Sequence, residues 1–291
     1  MTQVHLPQTM ADLWSCLDGD PGALIYAGGT DLLVKMRTGK TAASPALICI
    51  DRLGELRDVR ETAAGIWIGA AATHTELLRH PVISTHLPVL TQALHTLGSP
   101  LIRNMGTIGG NICTASPAGD TLPPLYILQA EVELRCRDNA RILPIREFIT
   151  GPGETQLQQG EVLTAIRVKK PAGYNVHHFE KVGQRKSMAC AVASMAALLR
   201  LSPAGMIEAA RLAWGSSGPT IVTDATLEDT LIGKKLSQET LTCAAQRIRQ
   251  IVTPIDDVRA SADYRRTVSG NLLLRLLDAQ LQNYAKLPKE L

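Results

Sequence analysis

Apolar positions recur along this chain at two different intervals, and the change from one to the other marks out its elements. Thr9–Cys16 (TMADLWSC) has the spacing of an amphipathic helix, with Leu13 and Trp14 on its inward face. Ala23–Ala27 (ALIYA) predicts a short buried strand that runs directly into Gly28-Gly29-Thr30-Asp31. Ala46–Ile50 (ALICI) and Ile66–Ala70 (IWIGA) predict two more strands, and Thr73 with Glu76 three residues on has the spacing of a capping box. Leu87, Val89, Leu90, Leu94 and Leu97 place a helix over His86–Leu97. From Gly98 to Pro124 the chain is punctuated by glycine and shows little periodicity, which predicts a long ordered loop of the kind that often carries function. Strands are then expected at Glu131–Arg135 and Glu161–Val168, with Ile145–Phe148 leading into a Gly151-Pro152-Gly153 turn. Past Pro171-Ala172-Gly173, strands are expected at His177–Lys181, Ala189–Leu199 and Met206–Trp214. Helices are expected over Gln238–Ile251 and Asp263–Tyr284, the last with Leu272, Leu273, Leu276 and Leu277 on one face.

A chain of 291 residues accommodates two domains, and the Pro171-Ala172-Gly173 break divides it into 1–172 and 173–291. Aromatic residues make up 3%, few for a protein that stacks bases, and the net charge of +3 is spread without a basic stripe. Nucleic acid is therefore not an expected partner. No apolar run approaches the ~20 residues of a membrane span, and the N-terminus lacks the charged-then-apolar pattern of a secretory signal. A cytoplasmic location is the expectation. The six cysteines form no C-x-x-C pair, so neither a zinc nor an iron–sulfur site is expected here, and reduced, mostly buried thiols are. The seven histidines lack metalloprotease spacing. Redox chemistry in this chain would need an organic cofactor or a partner chain.

Two short glycine-rich loops are the candidates for holding one. A strand ending in two glycines lets the backbone turn sharply and approach a ligand, and its consecutive N–H groups form a nest for an anion such as a pyrophosphate. Thr30 adds a hydroxyl. The same residues also suit an ordinary strand-to-helix turn, and neither G-x-G-x-x-G nor a P-loop is present. Thr107-Ile108-Gly109-Gly110-Asn111 repeats the chemistry, followed by Thr114, Ser116, Gly119 and Asp120. Two such loops suit an extended ligand with a diphosphate in its middle. Asp120 is either a solvated loop aspartate or an acceptor for a ribityl or ribose hydroxyl. Asp256-Asp257, with no further ligand after Val258-Arg259, reads as a helix cap or an ion pair rather than a metal site.

Tyr26-Ala27-Gly28-Gly29-Thr30-Asp31-Leu32-Leu33, Ile66–Thr73 and Ile102–Ile112 stand in an order and spacing that closely resembles the FAD-binding medium subunit of the xanthine dehydrogenase and carbon monoxide dehydrogenase family. Ala115–Asp120, Phe179-Glu180-Lys181 with Arg185, and Asp257–Arg266 extend the resemblance over almost the whole chain. The resemblance implies an α+β fold: an FAD-binding module of the vanillyl-alcohol-oxidase (PCMH) type with two subdomains, then a small α+β domain in which a sheet is backed by two long helices. It implies that Ile25, Tyr26, Ala27, Gly28, Gly29, Thr30, Asp31 and Leu32 wrap the FAD diphosphate. Thr107, Gly109, Gly110 and Asn111 match the second FAD loop, Asp120 an aspartate near the flavin's polar chain, and Leu163 and Lys181 positions near the isoalloxazine. Leu97 stands where animal relatives carry an aromatic residue. Lys181 and Arg185 either stabilise charge on reduced flavin or are surface cations, with Glu180 as a partner. The implied partners are a small subunit with 2Fe–2S clusters and a large molybdopterin-binding subunit, and the implied acceptor is NAD+ or another oxidant. A stand-alone flavin oxidase or reductase, and a non-catalytic nucleotide-binding assembly module, are the alternatives.

Overall fold

The computed structural model describes residues 2–40, 44, 46–185 and 188–278. These residues form two compact units: Met1–Thr85, Gly98–Ser116 and Gln129–Lys170 make the first, and His86–Leu97, Pro117–Leu128 and Pro171–Leu291 the second. The segments before residue 172 are thus shared between both units.

In the first unit a parallel three-stranded sheet has Ala46–Cys49 at its centre, flanked by Gln3–His5 and Leu24–Tyr26. Every residue of the central strand is buried, as expected for a strand covered on both faces. Helix Met10–Gly19 starts at the capping box formed by Thr9 and Asp12 and packs Leu13, Trp14 and Leu17 with Ile48, Ile50, Leu53 and Leu56. A second, antiparallel sheet has the order Val59–Thr62, Gly65–Gly69, Val162–Val168, Glu131–Arg135, Ala140–Pro144. Its exposed Arg60 lies over the Trp67 ring at 4.3 Å.

The stretch from Gly98 to Pro124 is not a loop. It is mainly three short helices, Pro100–Met105, Ile108–Thr114 and Leu122–Ile127. Ser99 and Thr107 cap the first two through their hydroxyls, and proline occupies the first turn of the first and third. Helices of six or seven residues are too short to display a period, which is why the pattern reads as a loop.

In the second unit the antiparallel sheet Val176–Val182, Ala193–Leu201, Ile207–Gly215 has its middle strand buried at all but one position. Met195, Ala197, Leu199, Leu212 and Trp214 join Leu241, Ile248, Leu272 and Leu273 in one core, so the helices Gln238–Ile251 and Ala262–Leu274 back the sheet as expected. The Trp214 indole donates to the Ser269 carbonyl at 3.0 Å. Helices Pro88–Thr96 and Leu122–Ile127 also pack on the strands. The helix expected over Asp263–Tyr284 ends at Leu274, with Arg275 as its C-cap, and the expected residues 279–284 lie outside the described ones. All six cysteines are free, but Cys49 alone is buried and Cys190 and Cys243 are exposed, so the expectation of mostly buried thiols fails. No helix among the described residues is long and apolar enough to cross a membrane.

Candidate functional site

The first glycine loop leaves the sheet where Ile25 pairs with Ile48 and Tyr26 with Cys49. The Tyr26 carbonyl accepts from the Ile50 amide at 2.9 Å, fixing the strand end. Ala27 leads to Gly28 and Gly29, and Gly29 has φ +66°, a conformation that side-chain-bearing residues rarely adopt. Gly28 is required for another reason: a Cβ there would stand 1.7 Å from the Met105 carbonyl oxygen. The close approach at this glycine is made by the protein's own backbone. Leu32 opens the helix Leu32–Arg37, and the Gly29 and Asp31 carbonyls accept from Leu33 and Lys35. The amides of Gly28, Gly29, Thr30 and Asp31 donate to no described residue. Four successive donors without protein acceptors, on a half-buried turn, form the kind of nest that suits a diphosphate.

The second loop rests on the third motif, Ile66–Thr73. Gly109 N donates to Ala70 O at 2.8 Å, Ile108 N to Ala72 O at 3.1 Å, and His74 N to Gly106 O at 2.9 Å. Gly109 lies so close to Ala70 that a Cβ would come within 2.6 Å of the alanine methyl. Thr107 accepts from Gly110 N at 3.1 Å, and the Asn111 amide donates to the Thr107 carbonyl at 3.0 Å. Gly110 is exposed, and a Cβ there would meet the Thr107 hydroxyl at 2.9 Å and nothing else within 4 Å. The two loops are tied together: Thr114 donates its hydroxyl to Asp31 at 3.0 Å, and Asp31 also pairs with Lys35 at 2.7 Å. The structure therefore brings residues 25–32 and 107–111 into one cluster, with Ala70–His74 beneath them. Leu163 is a buried residue of the same unit, opposite Leu134 on the Val162–Val168 strand and beside a bulge.

Asp120 and Lys181 meet in the second unit. Lys181 Nζ lies 2.6 Å from Asp120 Oδ2, and both side chains are under 10% exposed. The same ammonium donates to Thr96 O at 2.8 Å and Ala189 O at 3.3 Å, which engages all three of its protons. Asp120 Oδ1 is buried with no hydrogen-bond partner. Burial raises the Asp120 carboxyl to about 6, and the nearby Lys181 charge only partly opposes this. Asp120 is thus not a solvated loop residue, and Lys181 is not a surface cation paired with Glu180. Glu180 instead faces Arg275 at 3.2 Å and His178 at 3.3 Å. Leu97 is buried at the end of the Pro88–Thr96 helix.

Asp256 and Asp257 are structural, as their spacing suggests. Asp256 accepts from Ala262 N at 2.6 Å. Asp257 pairs with Arg259 and with the buried Arg265, each at 2.6 Å, and these hydrogen bonds hold its carboxyl well below the usual range. One residue in the loop cluster escapes the sequence reading altogether: His74, the first residue after the Thr73 cap, is 3% exposed with an unpartnered Nδ1. Nothing in its spacing distinguishes it from a core histidine.

Comparison with known proteins agrees with this geometry. Residues 1–171 match the family model of the FAD binding domain in molybdopterin dehydrogenase, and residues 178–280 match that of the CO dehydrogenase flavoprotein C-terminal domain. The chain is 34% identical to a putative xanthine dehydrogenase FAD-binding subunit of Escherichia coli K12, over 90% of this chain and 89% of that one. Among solved structures it is similar to carbon monoxide dehydrogenase of Hydrogenophaga pseudoflava, crystallised without the Mo-pyranopterin moiety of its molybdenum cofactor (TM-score 0.89, 29% identity, 97% and 98% of the two chains). It is also similar to quinoline 2-oxidoreductase of Pseudomonas putida 86 (TM-score 0.90, 26% identity, 96% and 97%). The chain is thus an α+β protein of the FAD-binding subunits of the molybdenum hydroxylase family, a family of oxidoreductases.

Proposed function

We propose that this chain is the electron outlet of a three-subunit molybdenum hydroxylase. In this reading it works with a small subunit carrying 2Fe–2S clusters and a large subunit carrying molybdopterin, and it hands electrons to NAD+ or another acceptor. The observation that carries the reading is the run of four unacceptored amides, Gly28 to Asp31, beside the Thr107–Asn111 turn. Ile25, Tyr26, Ala27 and Leu32 set that run between strand and helix. Thr107, Gly109, Gly110 and Asn111 form its neighbour. Asp120 Oδ1 has the unmet demand that a hydroxyl of the flavin's polar chain would satisfy. Lys181 holds the other carboxylate oxygen and orients Asp120 for that role, and Leu163 and Lys181 are proposed to stand near the ring system. Bound FAD supplies the exchange between one-electron and two-electron transfer that such an outlet needs. This chain's residues supply the binding and the electrostatics.

The test is flavin content. The purified chain, mixed with FAD and freed of excess, is expected to show flavin absorption, to reduce an artificial acceptor with NADH, and to hydroxylate no purine alone. A folded chain that retains no FAD would falsify the reading, and NADH turnover with no dependence on FAD would sink it equally.

A further inference from the structure

The strand Val162–Val168 carries one residue more than its partner. Its pairing with Glu131–Arg135 slips between Leu163, opposite Leu134, and Ala165, opposite Glu133, so Thr164 is the extra residue of a β-bulge. In a regular strand Thr164 and Arg167, three positions apart, would face opposite sides of the sheet. At the bulge both reach one carboxylate. The Thr164 hydroxyl lies 3.1 Å from Glu133 Oε1 and 3.3 Å from the Glu133 carbonyl oxygen, and Arg167 pairs with Glu133 Oε2. Thr164 is 1% exposed and Glu133 9%. Burying a carboxylate is unfavourable unless its partners offset the lost hydration, and apolar side chains would fill the same space. Packing alone therefore gives no reason for this arrangement.

The backbone of the bulged residue leads to the second glycine loop. The Thr164 carbonyl accepts from the Ala70 amide at 3.0 Å, just past Gly69, where the ladder with the Gly65–Gly69 strand ends. The Ala70 carbonyl in turn accepts from Gly109 N at 2.8 Å. That last contact has no slack, since a Cβ on Gly109 would stand 2.7 Å from the Ala70 carbonyl oxygen. Four residues from four segments are thus linked in series, Glu133 to Thr164 to Ala70 to Gly109, and all four are buried. A shift at one end of such a series has no solvent-filled gap in which to be absorbed.

The geometry points to Thr164 as a positioning residue for the second FAD loop. Its hydroxyl, pinned on Glu133, fixes the bulge, and the bulge fixes where Ala70 holds Gly109 beneath the exposed Gly110. This inference rests on the flavin reading above. Thr164 acts on the cofactor only through Ala70 and Gly109.

A flavin-fluorescence titration of the full chain with FAD checks it, comparing wild type with Thr164→Val, which keeps the shape and loses the hydroxyl, and Thr164→Ser, which keeps the hydroxyl. Thr164→Val should weaken FAD binding about three- to tenfold, the range of one hydrogen bond, and Thr164→Ser should stay within about twofold of wild type. A purely structural role would lower the thermal midpoint yet leave the affinity of the folded chain unchanged, because apparent affinity falls only with the competent fraction. Amide hydrogen exchange without FAD gives a second reading: exchange across Thr107–Asn111 should quicken in Thr164→Val and not in Thr164→Ser. Equal affinity in wild type and Thr164→Val overturns the inference, as does a serine variant as weak as the valine one. Should Thr164→Val not fold, Thr164→Ala, which removes the hydroxyl without adding a methyl in its place, makes the same comparison. A wild type that binds no FAD overturns the proposed function itself, whereas a wild type that binds and a flat variant series overturns this assignment alone.

Discussion

At Gly28 one added methyl would collide with the Met105 carbonyl, whereas at Gly110 the nearest obstacle is the Thr107 hydroxyl, 2.9 Å away on an otherwise open surface. The two glycines therefore predict different phenotypes. Gly28→Ala should destabilise the chain by at least about 1–3 kcal/mol, because a backbone carbonyl has little room to yield, and a lowered thermal midpoint without FAD would show it. Gly110→Val should leave that midpoint within a few degrees of wild type yet weaken FAD binding about tenfold or more; normal affinity would remove the second loop from the cradle. Asp120 makes a pH prediction. Its folded pKa, raised to about 6, lies above the unfolded value, so the contribution of this group is present below about 4 and is lost as pH rises through about 6. Between about pH 4 and pH 7 the wild type should lose stability relative to Asp120→Asn, as read from paired thermal midpoints. Parallel curves would show that Lys181 keeps Asp120 ionised throughout.

At the scale of elements, the Val176–Val182 strand is an edge of its sheet, with only Ala193–Leu201 beside it. An uncovered edge leaves backbone donors and acceptors open to mispairing. Here one side chain of the Pro88–Thr96 helix covers it. Gln92 Nε2 donates to His177 O at 3.0 Å, and Gln92 Oε1 accepts from Phe179 N at 2.7 Å, as a neighbouring strand would. Gln92→Ala should cost about 1–3 kcal/mol through the two backbone groups left unpaired, measured by urea denaturation. An unchanged midpoint would mean that water serves the edge equally well. The long elements were legible because their signals are local. Thr9 with Asp12 and Thr73 with Glu76 form capping boxes, and the hydroxyls of Ser237 and Ser261 each accept from the amide three residues on. The three short helices between Gly98 and Pro124 were hidden for the opposite reason, since six or seven residues hold less than two turns of pattern.

At the scale of the molecule, the lack of C-x-x-C pairs and metal-type histidine spacing in the sequence left an organic cofactor or a partner chain for any redox chemistry, with two glycine loops as candidates to hold the former. The ordered motifs carried the family, and the matches over residues 1–171 and 178–280 agree with it. That much is written locally: strand runs, caps and loop glycines each act within a few residues of themselves. The work each residue does was settled by distant parts of the chain. Gly28 answers to Met105, the Ala70–Ala72 carbonyls receive the second loop, and Asp120 finds Lys181. His74, bonded through its amide to Gly106 O, is left with a buried Nδ1 that has no partner. The physical reason is that desolvation, close backbone approach and the pairing of buried charge depend on which segments surround a group once the chain is packed, and no stretch of neighbouring residues specifies them.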